Sequence, residues 1–250
     1  MLTLQTLLRC YCYDSKHCSV KEIQPHHKIM DTQLFFFING HHNVFLDNFM
    51  YFISLKTVWI PLYFSILYIV WRNYSWKGVA IILITIGAGM LFTDWANAHL
   101  LRPWIGRLRP SNPDNPISSM VHIVNGKRGS GCGFPSAHSA NIWLLTFVVV
   151  RFFRDKIVSR TMIVTALLVC YSRVYLGYHY PGDILGGFVL AYIVSAVLMW
   201  INEHYLHFAT KREILNARVV MVTTAITLTI FAILSQPYTF SDILCKVGFK

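Results

Sequence analysis

Three short polar runs interrupt an otherwise oily chain, and each carries groups suited to binding an anion. The first is RPWIGRLRP, Arg102 to Pro110. The second is GFPSAHS, Gly133 to Ser139, and the third is SRVYLGYHYPGD, Ser172 to Asp183. Arg102, Arg109 and Arg173 offer planar guanidinium forks that match phosphate oxygens two at a time. Ser136 stands just ahead of an apolar stretch, where its hydroxyl and the first backbone N–H groups of a helix bind an anion. His138 and His179 suit acid, base or nucleophile duty near neutral pH. Asp183 follows His179 by four residues, a spacing that lets a carboxylate fix the imidazole tautomer and stabilise the imidazolium. Three arginines, two histidines and one carboxylate fit phosphoryl transfer, because the guanidiniums stabilise charge on the equatorial oxygens without requiring a metal.

Taken singly, none of these residues is decisive. An Arg-Pro pair commonly marks a helix boundary, and a basic run also binds anionic headgroups. His138 reads equally well as a cap or a packing residue. His179 and Asp183 have the i,i+4 spacing of two metal ligands, but no third ligand is evident, so no metal or other cofactor is expected. The three runs in combination are what point to a site.

Something must bring together residues as far apart as Arg102 and Asp183, and the composition says what. Of 250 residues, 55% are hydrophobic and only 13% charged, where a soluble domain spends roughly a quarter on charge. The chain therefore belongs in a bilayer. Its formal net charge of +11 then points to an anionic lipid surface or substrate, and away from nucleic acid. Six apolar stretches are visible, at about Phe49–Trp71, Gly78–Leu101, His138–Phe153, Thr161–Tyr178, Asp183–Tyr205 and Val219–Leu234. Pro61 is the expected kink in the first. The expected fold is all-α, a bundle of six transmembrane helices, since backbone groups in lipid must bond internally and no barrel-like alternation occurs. All three polar runs then fall at one end.

Ahead of the spans, MDTQLFFFINGHHNVFLDNFMYF from Met30 reads as an amphipathic interfacial segment, with its phenylalanines at headgroup depth and Asp31, Asn39 and Asp47 in water. Residues 1–29 are polar and lack the apolar run of a signal peptide. They are expected to be an extension, with the native chain beginning at Met30 and residues 30–250 forming one membrane domain. Basic residues gather in the loops at the end opposite the polar runs: Arg72 and Lys77, then Arg151, Arg154, Lys156 and Arg160, then Lys211, Arg212 and Arg218. That excess marks the cytoplasmic side, so the polar runs face outward, across a bacterial inner membrane. The tryptophans Trp59, Trp71, Trp95, Trp104, Trp143 and Trp200 suit interfacial belts. His41, His42, His99 and His122 read as loop or interface residues. Asp94, inside the second stretch, is either a partner of the arginines or a structural hydrogen-bonding group. The six cysteines form no CxxC or zinc pattern.

The polar runs resemble the motifs of the type 2 phosphatidic acid phosphatase superfamily, which shares its site with vanadium-dependent haloperoxidases. The family's first motif is a lysine, six residues, then Arg-Pro. Here Arg102 takes the lysine position and Arg109-Pro110 match. Pro135-Ser136-Ala137-His138 matches Pro-Ser-Gly-His with alanine for glycine, and Ser172-Arg173, His179 and Asp183 match the third motif throughout. The resemblance implies a membrane enzyme that removes phosphate from a lipid such as undecaprenyl diphosphate, phosphatidate, phosphatidylglycerol phosphate or lipid A. It implies that His179 attacks phosphorus, Asp183 orients it and His138 protonates the leaving oxygen. Arg102, Arg109, Arg173 and Ser136 would hold the phosphate oxygens, with a backbone N–H near Ala137. A vanadate-holding oxidase and a non-catalytic lipid-binding or transport protein are the alternatives from other classes.

Overall fold

A computed structural model describes residues 25–206 and 216–236. Among them the secondary structure is helical throughout: α1 (Pro25–Gly40), α2 (Val44–Ser54), α3 (Ile60–Asn73), α4 (Trp76–Ala96), α5 (Arg102–Ile105), α6 (Ala137–Phe153), α7 (Lys156–Tyr175), α8 (Pro181–Ile201) and α9 (Arg218–Leu234). The polar N-terminal extension lies outside the described residues up to position 24.

Every apolar stretch of the sequence has become a helix, but they are not six equivalent spans. Three helical runs are long and apolar enough to cross a membrane, Trp76–Ile105, Lys156–Tyr175 and Pro181–Leu206. The first stretch is a broken pair, Val44–Ser54 and Lys56–Asn73, bent by 71°. At 17 residues, α6 and α9 are each about 25 Å long, a little short of a hydrocarbon core of about 30 Å. Among the described residues, what stands is a helical membrane bundle with three to four spans by length.

The break in the first stretch does not fall at Pro61. It falls at Leu55, whose N–H turns back to the Phe52 carbonyl at 3.0 Å, and the Trp59 indole N–H donates to the Ile53 carbonyl at 2.9 Å. Pro61 instead opens α3, where its missing N–H costs nothing. Trp59 and Trp143 are correspondingly buried in the core, whereas Trp71, Trp95, Trp104 and Trp200 face outward as a belt requires.

At the centre of the bundle is α6, which packs against α4, α7 and α8, while α9 covers α3 and α7. Leu144, Val148, Val149, Phe152 and Phe153 are buried on several sides of α6, as a helix enclosed by others must be. Between helices in lipid, close packing supplies what water exclusion supplies elsewhere, so small residues mark the tight crossings. A Cβ on Gly187 would stand 2.5 Å from the Ser136 carbonyl oxygen, so glycine lets α8 lie directly on the first turn of α6.

Candidate active site

The three polar runs meet at one end of the bundle, tied backbone to backbone. Leu108 and Cys132 form an isolated antiparallel bridge, and the Gly133 N–H donates to the Arg107 carbonyl at 2.7 Å, joining the first run to the second. The Ser111 N–H donates to the Gly177 carbonyl at 3.1 Å, joining the first to the third. The Ser136 N–H donates to the Asp183 carbonyl at 2.9 Å, joining the second to the third. Asn115 completes the knot, donating to the Arg109 carbonyl at 2.9 Å and the Tyr180 hydroxyl at 3.1 Å.

The first run is also shaped by its own sequence. Pro103 has no N–H to donate and its ring crowds the preceding turn, and α4 widens into a π turn over Asn97–Leu101 just before it. A short α5 carries Arg102, and Gly106 at φ 64° ends it in the left-handed conformation that glycine adopts freely.

His179 sits in the loop between α7 and α8, 1% exposed, its N–H bonded to the Arg173 carbonyl at 3.3 Å. Its Nδ1 lies 3.6 Å from Asp183 Oδ2, an ion-pair distance longer than a hydrogen bond, of a kind that often tightens when substrate arrives. Asp183, wholly buried, is held from two directions: Tyr180 N–H donates to Oδ2 at 2.9 Å and Arg107 donates to Oδ1 at 3.2 Å. Burial, then the charges of Arg109, Arg173 and Arg102, hold the His179 imidazole well below its ordinary value. The ring is therefore neutral, and so nucleophilic, throughout the physiological range.

Arg102 and Arg109 lie half-buried and Arg173 is buried. The Nε atoms of all three are enclosed without a hydrogen-bond partner, as is His179 Nδ1. Buried charged groups are normally paired, so unpaired guanidinium edges beside an imidazole define a place for an anion. Arg173 is steadied by a hydrogen bond to the Ser54 hydroxyl and by the Tyr178 ring 4.2 Å away. Ser136 caps α6 and its Oγ accepts from the Ser139 N–H at 3.4 Å, so the helix, with Ala137 as its first residue, begins beside the Asp183 carbonyl to which the Ser136 N–H donates. His138, the next residue, is half-buried within electrostatic reach of Arg173, His179 and Arg109. Asn141 donates to Asp94 at 3.0 Å, and the Asp94 carboxylate lies within electrostatic reach of Arg102.

Sequence reasoning missed a second layer. Arg107 bridges Asp183 and Asp31, 3.2 and 2.5 Å away, and lies over the Tyr180 ring at 3.9 Å. Asp31 also accepts from the Gly182 N–H at 2.8 Å, pinning α1 to the start of α8. The interfacial reading of the N-terminal segment needs correcting here. Asp31, Asn39 and Asp47 are not left in water but bond to the site end, and Phe35 is fully buried against Tyr180. Arg107 had a signal, a third arginine inside the first run. Asp31 had only its position in an otherwise apolar segment. Lys56, placed in sequence near the end of a span, comes within electrostatic reach of His138 because of the bend at Leu55.

Such a cradle at one end of a helical membrane bundle belongs to enzymes that handle phosphate at the bilayer surface. Residues 76–206 match the PAP2 superfamily, and the chain belongs to that family. It is 45% identical to the lipid A 4'-phosphatase of Bacteroides thetaiotaomicron over 161 residues, 64% of this chain and 72% of that one. It is 32% identical to the lipid A 4'-phosphatase of Porphyromonas gingivalis over 166 residues, 66% and 70% of the two chains. The crystal structure of a transmembrane PAP2-type phosphatidylglycerolphosphate phosphatase from Bacillus subtilis shares the fold, with a TM-score of 0.55 at 24% identity over 74% of this chain and 90% of that one.

Proposed function

We propose that this membrane phosphatase removes a phosphate from lipid A, using His179 as nucleophile. The observation that carries the chemistry is the set of three buried guanidinium Nε atoms without a partner beside a neutral imidazole. With Nδ1 turned to Asp183, Nε2 attacks phosphorus. The bond from phosphorus to the lipid oxygen breaks, its electron pair leaves with that oxygen, and the proton reaches it through His138 once the negative phosphate has offset the Arg173 and Lys56 charges around that ring. His138 then takes a proton from water, which attacks the phosphohistidine, and the phosphorus–nitrogen bond breaks to release inorganic phosphate. Arg102, Arg109, Arg173, Ser136 and the N–H groups at the start of α6 hold the equatorial oxygens through both steps.

The likeness to two lipid A 4'-phosphatases supports lipid A over the other lipids with the same chemistry. Six crossings and an outward-facing site complete the reading, and the placement of basic residues supports it. Arg72, Lys77, Arg151, Arg154 and Lys156 flank the helix ends opposite the phosphate site, where the Tyr74 hydroxyl ties two of these loops by donating to the Phe152 carbonyl at 2.9 Å. The site would then open to the periplasmic leaflet of a bacterial inner membrane.

The test is phosphate release by purified protein from lipid A, undecaprenyl diphosphate, phosphatidate and phosphatidylglycerol phosphate. The expected result is a kcat/KM on lipid A about tenfold or more above the rest; preference for undecaprenyl diphosphate would move the assignment to cell-wall carrier lipid. Rapid acid-free quenching should trap phosphate on wild-type protein and none on His179→Ala. Phosphate trapped on the variant would make another residue the nucleophile.

A further inference from the structure

Away from the phosphate site, three segments share a second cluster of ligating side chains. His42 lies in the turn between α1 and α2, Asp47 in the first turn of α2 and His122 in the long loop ahead of α6, with ligand atoms all within 4.8 Å of one another. His122 Nε2 is 2.9 and 3.0 Å from the two Asp47 oxygens, and the His42 ring stacks on that of His122 at 3.6 Å. The surroundings fix these groups in place. Asn39, 1% exposed, accepts from the His122 N–H at 2.8 Å and donates to the carbonyls of His122 and Tyr175 at 3.1 and 2.7 Å. The Tyr175 hydroxyl donates to Asp47 Oδ1 at 2.7 Å.

We infer that His42, Asp47 and His122 form a binding site for a divalent transition-metal cation, with zinc the best match. Two imidazoles and a carboxylate suit zinc, whereas magnesium and calcium favour all-oxygen sites. His122 and Asp47 stand at hydrogen-bond distance, and parting by about half an ångström gives them the spacing of two ligands each about 2.0–2.2 Å from a tetrahedral zinc ion. Parallel rings cannot both aim a lone pair at one ion, so His42 turns out of the stack to complete the site. It is the exposed member of the three, and its turn displaces no core side chain. Tyr175 supplies the outer hydrogen bond that orients the Asp47 carboxylate, and Asn39 fixes the backbone that carries His122. Water takes the remaining position.

The site lies apart from the reacting phosphorus. An ion there fastens the α1–α2 turn to the loop ahead of α6, and Tyr175 connects both to the end of α7, four residues before His179. Its effect is on the rigidity of that end, not on the chemical step.

The experiment uses the full chain in detergent, freed of affinity histidines and stripped with chelator. Zinc is titrated against a fluorescent chelator and Tm is followed in parallel. Zinc taken up by side chains other than His42, Asp47 and His122 is common to every variant, so the reading is the difference from the unaltered chain. His42→Ala and His122→Ala should each bind one ion fewer per chain, while His204→Ala, an exposed histidine elsewhere, loses none. Tyr175→Phe should bind the ion about tenfold more weakly. Zinc should raise Tm in the unaltered chain and not in His42→Ala, whose phosphatase activity without metal stays that of the unaltered chain. Equal stoichiometry and affinity in all variants would overturn the inference, as would a Tm indifferent to zinc.

Discussion

The two ends of the bundle are built differently. At the site end, hydrogen bonds join residues far apart in sequence: Asp31 to Gly182, Asn39 to Tyr175, Arg107 to Asp183, Asn115 to Tyr180. At the opposite end most bonds are local caps. Ser75 accepts from the Gly78 N–H, and Asp155 accepts from the N–H groups of Ile157 and Val158. Among the described residues the longer-range bonds there, Tyr74 to Phe152, Asn216 to Tyr68 and the exposed pair Arg151–Glu203, join helix ends and flanks away from the phosphate site. One end holds side chains in place through bonds between distant segments, and the other keeps helices from fraying. Substitutions should separate the two, with activity failing at one end and at most stability yielding at the other.

The largest separation should come from Arg107, which touches no phosphate oxygen in the proposed mechanism but holds Asp183 behind His179. Hydrogen bonds to charged groups are worth about 1.5–3 kcal/mol. Arg107→Ala should therefore lower kcat by roughly 10- to 150-fold. Because it is a positioning residue, vanadate should bind the variant nearly as well as wild type. Arg107→Lys, able to pair with one of the two carboxylates, should recover part of the rate. An equal loss of vanadate affinity would place Arg107 in the phosphate cradle itself.

The next effect is on pH dependence. Folded His179 takes a proton only well below its ordinary 6.5, so below that pH the unfolded chain binds the proton first. Its contribution to stability is thus complete above about pH 6.5 and is lost as pH falls below it. His179→Asn binds no proton, so it should remove up to about 1.4 kcal/mol of acid destabilisation per pH unit in that range. Thermal unfolding in detergent from pH 7.5 to 5 should show the variant losing less Tm than wild type. Parallel Tm curves would mean that the buried imidazole is protonated in the folded protein.

The smallest effects belong to the opposite end. Asp155→Ala removes an N-cap and should cost about 1 kcal/mol of stability. Glu203→Gln breaks an exposed pair worth about 0–1 kcal/mol. Neither should change kcat measurably on lipid A, and a clear loss of activity in either would show that the two ends are mechanically coupled.

Much of this was legible in the sequence. The order and spacing of Arg102, Arg109, Ser136, His138, Arg173, His179 and Asp183 marked the phosphate chemistry, because guanidiniums, imidazoles and a carboxylate have few other uses at the margins of apolar segments. Apolar run length located α4, α6, α7, α8 and α9, since lipid leaves the backbone no alternative to bonding within itself. Three things were decided only by the fold. The bend lies at Leu55 and not Pro61, because proline at a helix start needs no N–H partner, whereas the Trp59 indole bonds to the Ile53 carbonyl beside the break. Asp31 and Asn39 look like water-facing residues of an amphipathic segment until α1 lies against α8 and the loop ahead of α6. Arg107 and Asp183 stand 76 positions apart, and no local pattern encodes their pairing. Sequence names the groups that can do chemistry because reactivity belongs to the side chain. Which other group holds each one still is a property of contacts between distant segments, and those exist only once the helices have packed.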